Sequence, residues 1–169
     1  SLPDWTPGIQ NNFMIKYDPV IGYDFLITST NKFAMTLYGN GGTIKEYITT
    51  NTNSFVDGSV HEITAVIARE TTSVAGSITI YIDGVPYEAP ATIAAGAGGN
   101  INTSVALSIL GYLTDGVRTA GTTSFAATYN RALTAAEVLD LYNNGVNFAD
   151  KYGNQTAIYS NTEWTGATG

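Results

Sequence analysis

Hydrophobic and polar residues alternate along this chain in short runs, broken by turn-forming clusters. A period of two puts every second side chain on one face of a sheet, so each run predicts a strand. The predicted strands cover 13–15, 23–28, 33–38, 43–49, 59–69, 78–82, 87–93, 105–113 and 123–129. Phe33, Met35 and Leu37 define the clearest inward face, and the run at 87–93 is broken by Pro90. Between them lie Asn40-Gly41-Gly42, Asp57-Gly58, Asp83-Gly84 and Asp115-Gly116, all sequences that favour tight turns. Residues 1–12 form a lead-in rich in Pro, Asn and Gly, where Trp5 either plugs one edge of the fold or stands exposed. Many short strands at this spacing predict an all-β sandwich or jelly roll.

One segment breaks the pattern. After the strand at 123–129 the chain reads N-R-A-L-T-A-A-E-V-L-D-L-Y-N-N-G, and its apolar spacing becomes helical. Thr134 is placed to cap the helix, and Glu137 three residues on completes a capping box. Leu133 before the cap and Val138 after it suit a hydrophobic staple. Val138, Leu141 and Tyr142 predict a narrow apolar stripe, and Gly145 is a natural stop.

The chain has 169 residues, enough for one well-cored domain, expected at 1–150 with 151–169 as an edge strand through 156–159 or a linker tail. It starts at Ser1 rather than Met, which reads as a mature product or a module of something longer. Only 12% of residues are charged, against about 25% in ordinary globular chains. Thr, Ser, Asn and Gly therefore carry the polar surface. The net charge of −7 and the absence of a Lys/Arg run argue against a nucleic-acid groove. Acidity favours neutral sugars, cationic surfaces or divalent metals instead. No apolar span of about 18 residues predicts membrane insertion. There is no cysteine, which excludes disulfides and thiolate chemistry.

Four segments in order resemble the laminin-G-like jelly-roll domains of the concanavalin A-like lectin/glucanase superfamily. They are D-G-S-V-H-E-I-T-A-V at 57–66, S-I-T-I-Y-I-D-G-V at 77–85, L-S-I-L-G with D-G at 107–116, and Y-N-R-A-L-T-A-A-E-V at 129–138. The resemblance implies an all-β, two-sheet antiparallel jelly-roll sandwich with one short C-terminal helix. It also implies a non-catalytic carbohydrate-binding or adhesion module, lectin-like and extracellular, on the cell surface or in a phage virion. A structural or assembly domain of a phage fibre or capsid fits the same features. Two positions depart from the family pattern. Val60 replaces the strand tryptophan, and Phe125-Ala126-Ala127-Thr128 replaces an acidic pair.

The residues present narrow the chemistry. Glycosidases of this superfamily set carboxylates on one strand as E-x-D-x-x-E, and no E-x-D occurs here. The chain therefore reads as a non-enzyme, with a glycoside hydrolase as a remote alternative. His61 is the one histidine and reads as a strand residue with a hydrogen-bonding partner. Calcium takes carboxylate, carbonyl and Asn oxygens, and the family often carries one ion at a rim loop. Asp57 and Asp115 are the candidate ligands, with Asn100, although Asp-Gly also makes an ordinary hairpin turn. Among the eleven tyrosines, Tyr87 and Tyr112 lie near loops, beside Arg118 and Asn100. Flat aromatic faces with a few polar groups suit sugar rings, so these four are the candidate ligand-binding residues. The expected partner is a glycan or cell-surface polysaccharide, with other virion or surface subunits as the alternative.

Overall fold

The computed structural model describes residues 2–6, 9–18, 20–39, 42–111, 119–144 and 155–162. Five strands form the larger sheet. These are β1 (Asn11–Tyr17), β2 (Gly22–Ile27), β3 (Phe33–Gly39), β4 (Gly42–Ile48) and the short β9 (Ser108–Ile109), in the order β4-β3-β2-β1-β9. The second sheet holds β5 (Ile63–Ala68), β6 (Gly76–Ile82), β7 (Val85–Pro86) and β8 (Ala91–Ile93), with β6 at its centre. A separate ribbon pairs β10 (Thr123–Tyr129) with β11 (Gln155–Thr162), and between them runs the one described helix, α1 (Ala135–Asn144). All pairings are antiparallel.

The alternation seen in the sequence builds the core. Phe25 and Ile27 of β2, Phe33, Met35 and Leu37 of β3, and Ile78, Ile80 and Ile82 of β6 all enter one buried cluster. The β-branched residues of β6 suit a central strand packed on both faces. Its opposite face carries Tyr81, which joins Leu133, Val138 and Leu141 in a second cluster under α1. The molecule is thus layered as sheet, core, sheet and helix.

The helix start follows the predicted box. The Thr134 N–H donates to Glu137 Oε2 at 2.7 Å, and the Glu137 N–H donates to Thr134 Oγ1 at 3.3 Å. Arg131 adds a two-pronged ion pair to Glu137 at 2.7 and 2.9 Å. The Arg131 hydrogen bonds pull the Glu137 carboxyl down to about 2. Leu133 and Val138 are both buried in the same cluster, as a staple requires. Tyr142 departs from the expected stripe at 46% exposed, and Gly145 lies outside the described residues.

Three predicted strands are shorter than the pattern suggests, and the run at 87–93 keeps only β8. The run at 59–69 pairs only as β5, because residues 59–62 spend their polar groups on turns and side chains. Of the run at 105–113, residues 112 and 113 lie outside the described residues, and the rest pairs as β9 with an isolated bridge at Gly111, Leu110 between them taking φ +53°. Trp5 resolves as a plug, 2% exposed within the core cluster.

Asp83 (φ +51°) and Gly84 (φ +78°) form the turn between β6 and β7, the primed geometry that matches strand twist. A Cβ on Gly84 would lie 3.1 Å from the Leu139 Cα and 2.9 Å from the Tyr142 Cβ. Gly84→Ala should therefore cost about 2–4 kcal/mol, from strain and from displacing α1. Gly58 has a similar φ of +77° with nothing within 4 Å, so Gly58→Ala should cost only about 1 kcal/mol. Urea unfolding of both variants checks the difference.

Candidate functional site

Two polar clusters stand out, at different places in the fold. The first centres on His61, just before β5. Its Nδ1 meets Asp83 Oδ2 at 2.8 Å and its Nε2 meets Ser59 Oγ at 2.9 Å. The ring stacks on Phe55 with centroids 4.0 Å apart and takes the edge of Trp5 at 5.3 Å. Asp83 also accepts the Glu62 N–H at 3.0 Å. Trp5 is held in turn, its Nε1 donating to the Ser59 carbonyl at 3.1 Å and its N–H to Asp57 Oδ1 at 2.8 Å. The order Ser–His–Asp is that of a hydrolase relay. Here, however, the Ser59 hydroxyl donates to the Val56 carbonyl, so its proton is already committed. The arrangement works as a clamp between the lead-in segment and the β6–β7 turn. Val60, where the family has tryptophan, is 73% exposed, and Phe55 and Trp5 supply the aromatic packing around His61.

The second cluster lies on the larger sheet, on the face turned away from the core. Tyr23 and Phe25 point inward, so Asp24 between them points outward. Likewise Met35 and Leu37 point inward, which turns Thr36 outward. Tyr17, Gly22 and Tyr38 are in register across β1, β2 and β3. The two rings meet over the glycine with centroids 4.3 Å apart. A side chain at Gly22, with φ +138°, would run into the Lys16 carbonyl. Only glycine therefore fits here, where the β1 backbone passes closely against β2.

Tyr38 donates its hydroxyl to Asp24 Oδ2 at 3.0 Å. Asp24 is 7% exposed, and its Oδ1 has no hydrogen-bond partner. Burial pushes the Asp24 carboxyl above the usual carboxylate range, against the Tyr38 hydrogen bond, while the charge of Glu46 adds to the rise. Burial and the neighbouring Asp24 push the Tyr38 phenol up in turn. Asp24, Thr36 and Glu46 share one register line across β2, β3 and β4. Glu46 is exposed on the same face, its Cα about 10 Å from that of Asp24. Tyr17 and Tyr38 are half-buried. The cluster thus offers aromatic surface, a hydroxyl, a buried carboxyl and an exposed carboxylate.

The residues singled out in the sequence are not gathered at either cluster. Tyr87 turns the edge of its ring onto Phe33 at 5.3 Å and is half-buried against the core. Asn100 is exposed and closes a local turn by accepting the Asn102 N–H at 2.9 Å. Asp57 anchors Trp5 near the start of β3, through Asn53 and Asn31. Asn100 follows Gly99, which packs at Gly39 on the far end of β3. Asp57 and Asn100 therefore sit at opposite ends of that strand. Tyr112, Asp115 and Arg118 lie outside the described residues. Among the described residues no three carboxylate or histidine side chains converge. Asp57, with one oxygen taken by Trp5, does not by itself supply the six to eight oxygens calcium takes. Sequence inspection missed Tyr17, Tyr38 and Asp24. The available signal was a Gly flanked by strands with Tyr at matched distances, legible only once register is known.

The layered sandwich and its capped helix define a jelly-roll domain of lectin-like architecture. The chain belongs to the Laminin_G_3 family of the concanavalin A-like lectin/glucanases superfamily, whose family model matches residues 2–139. No curated protein matches the sequence. Among solved structures, the chain is similar to residues 221–444 of an S-layer domain-containing protein from Clostridium thermocellum ATCC 27405. The likeness has 16% identity and a TM-score of 0.38, and it covers 79% of this chain and 63% of that one. No helix among the described residues is long and apolar enough to cross a membrane.

Two measurements test these clusters. His61→Ala removes the ring stack and both hydrogen bonds, so it should cost about 2–4 kcal/mol in urea unfolding. The raised Asp24 carboxyl binds its proton more tightly in the folded state than in the unfolded chain. Its contribution to stability is therefore full below the unfolded carboxylate range and declines as pH rises through the raised folded value. Thermal melts from pH 4 to pH 8 should show Asp24→Asn losing less stability than wild type as pH rises.

Proposed function

We propose that this domain is a non-catalytic carbohydrate-binding or adhesion module of a secreted, cell-surface or virion protein. The observation that carries the reading is the Tyr17–Tyr38 pair over Gly22, with Asp24 beneath it and Glu46 beside it. Sugar rings have apolar faces that pack on flat aromatic surface, and their hydroxyls need a few fixed polar partners. A half-buried tyrosine pair next to carboxyl groups meets both needs on a rigid sheet. Membership of a lectin-type superfamily supports the same reading. Asn100, Tyr112 and Arg118 make an alternative rim in this proposal, with Asp115 as a calcium ligand there, while Tyr87 on the core and Asp57 at the other end of β3 stand apart from it.

A glycan and cell-wall polysaccharide array, run in calcium and again in EDTA, tests the proposal. Saturable binding that weakens about tenfold in Tyr17→Ala locates the site on the sheet face. Loss in Tyr112→Ala instead locates it on the rim, and EDTA sensitivity adds the metal. A blank array at high protein concentration rejects the lectin reading.

One observation favours an assembly role as the second reading. Among the described strands β5 pairs with β6 alone, leaving one edge open. Its sequence, I-T-A-V-I-A, has no charge, proline or bulge to discourage pairing, whereas the opposite sheet's edge strand β4 carries Lys45 and Glu46. A neighbouring subunit adding a strand there would suit a fibre or capsid domain. Under this reading size-exclusion mass gives a stable oligomer, and Val66→Lys returns it to monomer.

A further inference from the structure

We infer that the sheet-face cluster of Tyr17, Tyr38, Asp24 and Glu46 selects glycans bearing free amino groups, binding the ammonium of a hexosamine rather than a neutral sugar alone. This rests on the glycan-binding reading above and specifies its ligand class.

Four observations lead to it. The two carboxyl groups lie on one face, on one register line, with Thr36 between them. No ion pair among the described residues involves either, although Lys45 is adjacent to Glu46 in sequence and Lys16 lies on the strand beside Asp24. Strand alternation explains this. Lys45 precedes Glu46 and Lys16 follows Ile15, so each lysine leaves the sheet on the side opposite the carboxyl groups. The negative potential of this face is therefore not neutralised by the lysines within the sheet.

Asp24 provides the second observation. It is buried and has an oxygen with no partner. A buried carboxyl in such a site is costly unless a cation or donor completes it. An ammonium arriving above Tyr38 would stabilise the charged form of Asp24 through the field across the phenol. Asp24 acts here as a positioning residue, since it holds the Tyr38 ring by its hydroxyl.

The tyrosine pair is the third. Its rings meet over Gly22 and are half-exposed. A ring face attracts a cation, and the attraction grows as water is excluded. Glu46, exposed on the neighbouring strand, lies diagonal to Tyr38 within reach of a ligand resting on the ring. Aromatic faces joined to carboxylates form a cation-recognising surface, so an ammonium adds a charge interaction to the contacts that any sugar makes there. The fourth observation is the overall charge of −7, which favours approach of a polycationic glycan.

The test compares two probes on the intact chain. They are β-1,4-linked glucosamine oligomers and the same oligomers fully N-acetylated, titrated at pH 6 and low salt. The expected result is about tenfold tighter binding of the free-amine form, with the gap shrinking as salt rises. Glu46→Gln, at an exposed position, should narrow the gap about threefold to fivefold without changing affinity for the acetylated oligomer. Asp24→Asn, close in shape to the native residue, should narrow it further, and circular dichroism melts confirm that each variant is folded. Equal affinity for the two probes overturns the ammonium inference and leaves the glycan-binding reading standing. A gap that survives both substitutions overturns the assignment of the site. Binding of neither probe, together with a blank glycan array, overturns the glycan-binding reading itself.

Discussion

The contact on which much of this architecture depends is the pair His61–Asp83, an imidazole held to a carboxylate at 2.8 Å. Asp83 occupies a left-handed conformation that most side chains avoid. Its carboxylate repays that strain by accepting from the His61 ring and the Glu62 N–H. The turn so fixed brings Gly84 against α1, so the helix can close over Tyr81 with its Val138 and Leu141. On its other side the His61 ring supports Phe55 and Trp5, and through them the lead-in segment reaches the core. One side chain thus links the chain's start, its second sheet and its only described helix.

The fold was largely legible because its signals are local. Inward faces at Phe33, Met35 and Leu37, the capping box at Thr134 and Glu137, and the turn at Asp83-Gly84 each depend on neighbours within a few residues. The misjudged lengths have a non-local cause. Ser59 and Glu62 have strand-like neighbours, but their polar groups are drawn to Val56 and Asp83. Trp5 among turn-forming residues gave no local clue, since what buries it lies about fifty residues away in Phe55, Ser59 and His61.

The sheet-face cluster was illegible for the same reason. Tyr17 and Tyr38 are neighbours only because Gly22 stands between them in register. Asp24 reads as an ordinary strand polar residue until Tyr38 is placed over it and Glu46 two strands away. By contrast the tyrosines and acids chosen from loop positions rest on composition near turns. Of these, Tyr87 packs into the core while Asn100 and Asp57 end up at opposite ends of β3. Residues near turns in sequence need not share a rim in space.

The closure of the larger sheet has a consequence for how the protein comes to exist. Thr119 donates its hydroxyl to the Asn12 carbonyl at 2.9 Å across 107 residues of chain, and β9 zips onto β1 beside it. During synthesis β1, β2, β3 and β4 can pair as each emerges, yet β1 keeps an open edge until the chain near residue 119 has left the ribosome. At about 5–20 residues per second that wait lasts several seconds. Throughout it an apolar strand bearing Met14 and Ile15 stands exposed to other nascent chains, and the speed of translation through this stretch becomes part of what decides the yield of folded protein.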